Sequence, residues 1–466
     1  TTSHQKSLPW RGVTVYPRIL ESRGSASEKV LVVAAGYSLD LRKASVLADS
    51  VLMRDLTDSG VVETYIAGKE HERHLYQDSE KMASLLLQPQ AEGQYHIVGL
   101  LNSTHQILPV KASERSSEGP NAHEILPIKT NDGVSGVIEA AHNVYREQVV
   151  NFRPTARSIS HPENFTIELA FCSDYYHTKA FGKDTKARVH YVITMVLAVS
   201  LRLQQLSPPG FISIVSIQGS STKKEPYLAK LNDSVLLGTE TLRNLSKYAD
   251  KSSKMRQADV VFLITGRKVA QKHGHAIRFG TAGLAFVGSA CTIYKVGLAV
   301  DTPKSFSAVQ SMTHEIAHLL NSSHDGEGSS KKCDLGEGYL MHMHLGGKWQ
   351  YLFSNCSVLA VRNFLMTPTS SCLKVQAHHH NILLPGSFLN LPNATLKGRD
   401  FCKKFFPDYQ DVSYAEVESG TNNCHFRCKI THRKFGAHYA NLYAPAGTPC
   451  NTSLRKIMHC NFGLCE

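Results

Sequence analysis

Residues 313–325 read Thr313-His314-Glu315-Ile316-Ala317-His318-Leu319-Leu320-Asn321-Ser322-Ser323-His324-Asp325. His314 and His318 stand four apart, so on a helix both imidazoles project from one face and can meet a single ion. Phe306, Val309, Met312, Ile316 and Leu320 recur every three or four residues and give that helix a buried face, a core stripe and not a cofactor surface. Upstream, Thr302-Pro303 predicts the helix start, with Thr as cap and Pro in the first turn. A chain reversal at Asn321 would return His324 as a third ligand. Three imidazoles leave the fourth tetrahedral position of zinc open to water, which separates a catalytic site from a closed structural one. Zinc lowers the pKa of that water from about 16 to about 7. Glu315, beside the first ligand, is placed to take the water proton as hydroxide attacks a scissile carbonyl, and then to hand it to the departing amine. A bare His-Glu-x-x-His occurs by chance on ordinary helices; the third histidine at this spacing singles out zinc catalysis.

The chain has 466 residues, too many for one ordinary core, so two or three domains are expected. Hydrophobic residues at 42% and charged residues at 19% describe a globular protein and not a disordered one. The longest apolar run, Val192 to Leu201, is short of the roughly 18 to 20 residues that cross a bilayer and is closed by Arg202, so no membrane span is expected. Thr1 to Arg11 is polar and is not expected to be a secretory leader; if one existed, it has been trimmed. Secretion is argued from the eleven cysteines, all at or after Cys172, with six between Cys402 and Cys465, a density that belongs to an oxidising compartment. Asn-x-Ser/Thr sequons begin at Asn102, Asn164, Asn232, Asn244, Asn321, Asn355, Asn393 and Asn451 and agree with it. The net charge of +12 leaves glycosaminoglycan or matrix contacts open. Lys and Arg are scattered, with no aromatic-interleaved basic stripe, so nucleic acid is not an expected partner.

Up to about Arg157 the chain is free of cysteine. Val30 to Ala35, Tyr95 to Leu101 and Gln106 to Val110 predict strands, and Leu39 to Leu56 predicts a helix. Beyond the arginine-bearing segment Phe152 to His161, strands are expected at Thr166 to Phe171, Phe211 to Ile217 and Asp259 to Thr265, with a buried helix over Ala187 to Leu206. Strands alternating with helices suggest an α/β sheet with crossover helices. A linker is expected between Val375 and Pro392, where His378-His379-His380 precedes Pro385-Gly386, and a cysteine-rich tail follows.

On these residues the sequence resembles the metzincins, and within them the reprolysin (adamalysin-like) family, tick salivary-gland metalloproteases above all. Gly338-Tyr339-Leu340-Met341 is similar to the family's methionine turn, and Asp325 matches the acidic residue after the third ligand. Thr166 to Cys172, Val192 to Leu206 and Gly283 to Cys291 resemble its strand, helix and edge strand. The resemblance covers about residues 160 to 375. It implies a metzincin α/β catalytic domain, a mixed twisted sheet plus helices with a zinc helix, preceded by an α+β propeptide and followed by a small disulfide-rich domain. The expected boundaries are 1–157, 158–376, a linker 377–392, and 393–466. It further implies one zinc on His314, His318 and His324, Glu315 as the catalytic base, Met341 beneath the metal, and Asp325 supporting the ligands. Gly283, Leu284 and Ala285 would pair with substrate main chain. It suggests the disulfides Cys291–Cys372 and Cys333–Cys356, with Cys172 left over. Calcium is admitted by the family, but no local carboxylate cluster calls for it.

Three departures from the family pattern stand out. Asn321 replaces the usual Gly, and Asn is the next most tolerant residue for a left-handed turn; it also begins a sequon that a glycan could not fill without meeting the site. His342 and His344 flank the methionine turn, where exposed polar residues are a better reading than extra ligands. No cysteine precedes Cys172, so a thiolate cannot hold the zinc in a precursor, although Tyr95 to Leu126 resembles a reprolysin propeptide. Latency would come from steric cover or from another ligand, with Arg153 to Arg157 the nearest processing segment. The function expected is a secreted zinc endopeptidase acting on extracellular proteins, matrix or clotting proteins such as fibrinogen being what the resemblance implies. The rival is a catalytically weak or inactive relative that binds through its cysteine-rich tail.

Overall fold

The computed structural model describes residues 12–21, 28–90, 94–110, 121–128, 137–141, 162–374 and, farther on, 403, 411–415, 425–432, 436–443, 449–453, 456–461 and 464–465. The chain divides into one unit of Thr1–Gln204 with Gly210–Ile382 and a second of Gln205–Pro209 with Leu383–Glu466. The expected linker with its three histidines, the Arg153 to Arg157 segment and the side chains of the six tail cysteines lie outside the described residues.

The first unit opens with strands β1 (Val13–Val15), β2 (Arg18–Glu21), β3 (Glu28–Ala34), β4 (Tyr37–Lys43), β5 (Leu47–Thr57) and β6 (Gly60–Ala67), then the single turn α1 (Gly68–Glu72). It continues through β7 (Leu75–Asp78), β8 (Ala83–Pro89), β9 (Tyr95–Leu100), β10 (His105–Pro109), β11 (His123–Pro127) and β12 (Val137–Ala141). Nine of these form an antiparallel sheet in the order β1-β11-β10-β9-β8-β7-β4-β3-β2. Alternate residues Leu31, Val33, Leu39, Leu41, Leu85, Leu87 and Ile97 point to one core, the period of two that a half-buried strand requires.

That period corrects the helix expected over Leu39 to Leu56, which is β4 and β5 joined by a short turn. Leu39 and Leu41 are buried between exposed Ser38, Asp40 and Arg42, and the apolar run after Leu47 is buried because it is paired on both sides. The i, i+4 coincidences among its leucines and valines imitate a helix; partners distant in sequence decide the outcome.

A second sheet is built from β13 (Phe165–Ser173), β14 (Gly210–Ser220), β15 (Lys230–Asn232), β16 (Val235–Leu237), β17 (Val260–Thr265), β18 (Lys268–His273), β19 (Ala276–Phe286) and β20 (Val296–Val300). Its order is β15-β16-β18-β19-β20-β17-β13-β14-β5-β6, with β12 added against β19. The strands expected at 166–171, 211–217 and 259–265 are thus the centre of a mixed sheet, where β13 runs parallel to β14 and β17. Strand β13 is buried along its whole length, as a central parallel strand covered on both faces must be. N-terminal strand β5 extends this sheet, parallel to β14 from Leu52↔Ser216 to Leu56↔Ser220.

The helices are α2 (Tyr175–Lys179), α3 (Thr185–Leu203), α4 (Gly238–Lys251), α5 (Ser253–Gln257), α6 (Val309–Leu319) and α7 (Asn355–Leu365). Asp184 caps α3 by accepting from Ala187 N–H. Helix α3 is buried almost all round because both sheets use it. Ser84 Oγ of β8 donates to Thr194 O at 2.7 Å, and Gln88 Nε2 lies 2.9 Å from His190 Nδ1. Tyr191 on another face stacks on Phe306 with ring centroids 4.5 Å apart. No helix among the described residues is long and apolar enough to cross a membrane.

Disulfides join Cys291 to Cys372 and Cys333 to Cys356. Cys172 is free and buried, and burial pushes its thiol up to about 12, which leaves it an inert core residue. In the second unit, β21 (Asp411–Ala415), β22 (His425–His432) and β23 (Gly436–Tyr443) form one antiparallel sheet, and β24 (Pro449–Ser453), β25 (Lys456–Asn461) and β26 (Leu464–Cys465) another.

Candidate active site

Helix α6 carries the His-Glu-x-x-His residues. At 11 residues it is too short to be stable alone. Packing holds it: Phe306, Val309, Met312, Ile316, Leu319 and Leu320 are all buried, each worth roughly 1.5 to 3 kcal/mol at the upper bound. The helix begins at Val309, not near Thr302-Pro303, and has no side-chain cap of its own. Lys304 and Phe306 have φ of 68° and 55°, left-handed values that a helix cannot contain.

Asp301 does the anchoring instead. Its Oδ1 accepts from Ser307 Oγ and Ala308 N–H, both at 2.9 Å. Its Oδ2 accepts from Tyr191 O–H at 2.8 Å and lies 3.2 Å from His177 Nε2. Burial, and then the Asp301 charge, pushes the Tyr191 hydroxyl well above its usual range, so it stays a donor. Sequence reading missed Asp301, Tyr191 and His177. The available signal was an Asp at the end of an apolar strand, immediately before Thr-Pro.

The helix ends in a Schellman turn. Asn321 takes φ 72°, its N–H donates to His318 O at 2.8 Å, and Ser322 N–H donates to Ala317 O at 2.9 Å. The left-handed residue expected at Asn321 is therefore present. Its side chain packs on Gly288, where an added Cβ would lie 2.7 Å from Asn321 Oδ1. The reversal returns His324 to the helix.

The three rings then converge. His314 Nε2 is 3.0 Å from His318 Nε2, which is 3.1 Å from His324 Nε2. A tetrahedral zinc with bonds of 2.0 to 2.1 Å would set these atoms about 3.3 Å apart, so the donor set fits that ion. His314 Nδ1 donates to Leu340 O at 2.8 Å and His318 Nδ1 to Ser322 O at 2.7 Å, which fixes the tautomer that turns Nε2 inward. His324 Nδ1 lies 3.6 Å from Glu327 Oε2. Burial, with the neighbouring rings, holds His314 well below the ordinary imidazole range, the neutral form a metal ligand needs.

Glu315 is fully buried, and neither carboxylate oxygen has a hydrogen-bond partner. Burial pushes its carboxyl well up. An orphaned acid of this kind calls for a ligand or water in the space it faces. The carboxylate lies over Gly283, where a Cβ would come within 2.6 Å of Oε1. Met341 is buried and its carbonyl accepts from Asp325 N–H at 3.0 Å. Asp325 Oδ1 accepts from Ser354 Oγ at 2.5 Å, which ties the loop carrying His324 to the cap of α7. His344 N–H donates to His342 Nδ1, and neither ring enters the triad.

Gly283, Leu284 and Ala285 lie in β19, antiparallel to β20 on one side. On the other side runs the chain's own β12, parallel to them, with Ile138↔Gly283, Glu139↔Leu284 and Ala140↔Ala285. Nothing in the sequence signalled that pairing across more than 140 residues.

A family profile described as Reprolysin (M12B) family zinc metalloprotease matches residues 229–376. The chain is similar to venom metalloproteinase antarease TserMP_A of Tityus serrulatus, 27% identical over 77% of this chain and 92% of the relative. It is 26% identical, over the same shares, to venom metalloproteinase antarease-like TtrivMP_A of Tityus trivittatus. It is also 27% identical to a Bombyx mori protein described as a disintegrin and metalloproteinase with thrombospondin motifs like, over 61% of this chain and 42% of that one.

Proposed function

We propose that the chain is a reprolysin-type (M12B) zinc metalloprotease, as the profile match over 229–376 and the venom relatives support, and that it is the precursor of a secreted endopeptidase of extracellular proteins. Its zinc ligands are His314, His318 and His324 and its general base is Glu315. The observation that carries this reading is the convergence of three imidazole Nε2 atoms, with the carboxylate of the adjacent Glu315 buried and without a hydrogen-bond partner. Bound there, zinc supplies Lewis acidity, lowering the pKa of water to about 7 and polarising a carbonyl.

The remaining work falls to the chain. Glu315, clamped over Gly283, takes a proton from water and returns it to the leaving amine. Leu340 O and Ser322 O hold two rings in the required tautomer, and Asp325 steadies the loop. The backbone of Gly283 to Ala285 offers a strand edge to an extended peptide. Residues 1–157 form the pro-region, 158–376 the catalytic domain, and 393–466 a cysteine-rich domain after a linker over 377–392.

Latency needs no cysteine in this scheme, because residues 137–141 occupy the edge where substrate would pair. The parallel run of β12 supports steric cover as the mechanism. The test is cleavage of fibrinogen and of a general peptide by matured protein, with and without a chelator, and by Glu315→Ala. The expected result is that Glu315→Ala keeps its zinc and loses activity by about 10²- to 10⁴-fold. Undiminished cleavage by that variant would sink the assignment, and chelator-resistant cleavage would remove zinc from it.

A further inference from the structure

Strand β6 forms one margin of the larger sheet, antiparallel to β5 in an unbroken register from Ser50↔Ala67 to Thr57↔Gly60. Among the described residues no strand and no backbone hydrogen bond meets its outer side. Its sequence, Gly60-Val61-Val62-Glu63-Thr64-Tyr65-Ile66-Ala67, is rich in β-branched and aromatic residues. Val61, Val62 and Tyr65 are 41%, 52% and 59% exposed. Sheet margins are ordinarily guarded by shortness, Lys, Pro or a bulge. The opposite margin, β15, is guarded in this way, with three residues and Lys230 among them. Strand β6 has eight residues and none of these devices. Its one charged side chain, Glu63, is met from within the sheet by Arg54 of β5, with Nη1 3.1 Å from Oε1.

We propose that the outer margin of β6 is an interface for a second copy of this chain, paired antiparallel about a two-fold axis. Backbone groups along a strand point alternately to its two sides, so the outward-facing residues of β6 all share one parity. A residue can therefore face only a residue of equal parity in the copy. Two such registers use nearly the whole strand, one centred on Glu63 and one on Thr64. The first sets two carboxylates opposite each other, which is destabilising. In the second, Thr64 faces its own counterpart, Glu63 faces Tyr65, Val62 faces Ile66 and Val61 faces Ala67. That register opposes no like charges and matches β-branched residues with one another. The pairing closes at two copies because it consumes both free margins. The choice of a second copy over another extended peptide rests on this self-complementarity, and it does not depend on the protease assignment.

Sedimentation velocity of the full chain from about 1 µM to about 100 µM, the range of weak complexes, tests the interface. A monomer–dimer equilibrium is expected. A monomer throughout overturns the proposal, and so does open-ended growth beyond the dimer. Thr64 is exposed, so Thr64→Lys and Thr64→Glu are each expected to keep the parent Tm. Each variant sets like charges opposite across the two-fold and is expected to weaken self-association by about fivefold. An equal mixture of the two sets Lys against Glu and is expected to associate at least as tightly as the parent. Unaltered association of both variants would put the contact elsewhere on the molecule. Weakening of both without recovery in the mixture would refute the self-paired register. Hydrogen exchange on the unsubstituted chain gives a reading that needs no variant: amide protection within residues 60–67 is expected to rise with concentration, and protection that ignores concentration would overturn the interface.

Discussion

Gly283→Ala is the sharpest perturbation that the site geometry allows. The added Cβ would lie 2.6 Å from Glu315 Oε1, 2.9 Å from its Cγ and 3.1 Å from its Cδ. Ordinary contacts need about 3.5 Å or more, so the carboxylate must retreat by about 1 Å. It has little room to do so, since Glu315 is wholly buried on a helix packed along its length. A displacement of that size in a reacting group costs about 100-fold in rate, or about 2.7 kcal/mol in the barrier. The overpacking itself costs about 1 to 3 kcal/mol of stability. The assay is kcat and KM of the matured protein on a quenched fluorescent peptide, with zinc content and Tm measured on the same preparation. A hundredfold fall in kcat, a smaller change in KM and full zinc occupancy are expected. If kcat stayed within about threefold of the parent, Glu315 would not be the group whose position limits the reaction.

Removing the metal with a chelator should lower Tm, and restoring zinc should recover it, because a ligand bound only to the folded state at about 1,000 times its Kd contributes roughly 4 kcal/mol; an unchanged Tm on verified metal loss would contradict the triad. His190 supplies a pH dependence. Burial and then Lys186 lower its pKa to about 4 in the folded chain, while the unfolded value is about 6.5. The unfolded state therefore binds more protons between those values, and stability is lost as pH falls from about 6.5 to about 4. His190→Gln should flatten that slope by about 1 kcal/mol after allowing for solvent screening at a half-buried ring; an unaltered acid profile in urea titrations would refute it.

The parts of the site written in contiguous residues were legible. Periodicity placed α6 and its buried stripe, and the tolerance of Asn for a left-handed turn anticipated Asn321. The strands at 166–171, 211–217 and 259–265 declared themselves by β-branched runs. What remained hidden depends on distant partners. Leu39 to Leu56 reads as a helix until the pairing of β5 with β14 is known, and the glycine beneath Glu315 has meaning only when β19 and α6, distant in sequence, are stacked. Thr302-Pro303 drew attention from Asp301, one residue earlier, whose carboxylate serves four donors or neighbours that no local pattern brings together.

The ladder between Leu52–Leu56 and Ser216–Ser220 makes the N-terminal region an integral strand supplier to the sheet on which α6 packs. Severing the backbone somewhere past Ala141 would leave every one of those amide-to-carbonyl bonds in place. A nicked molecule would thus remain a tightly held complex of two pieces, and activity should track their physical parting, by dilution or further digestion, more closely than the moment of the cut.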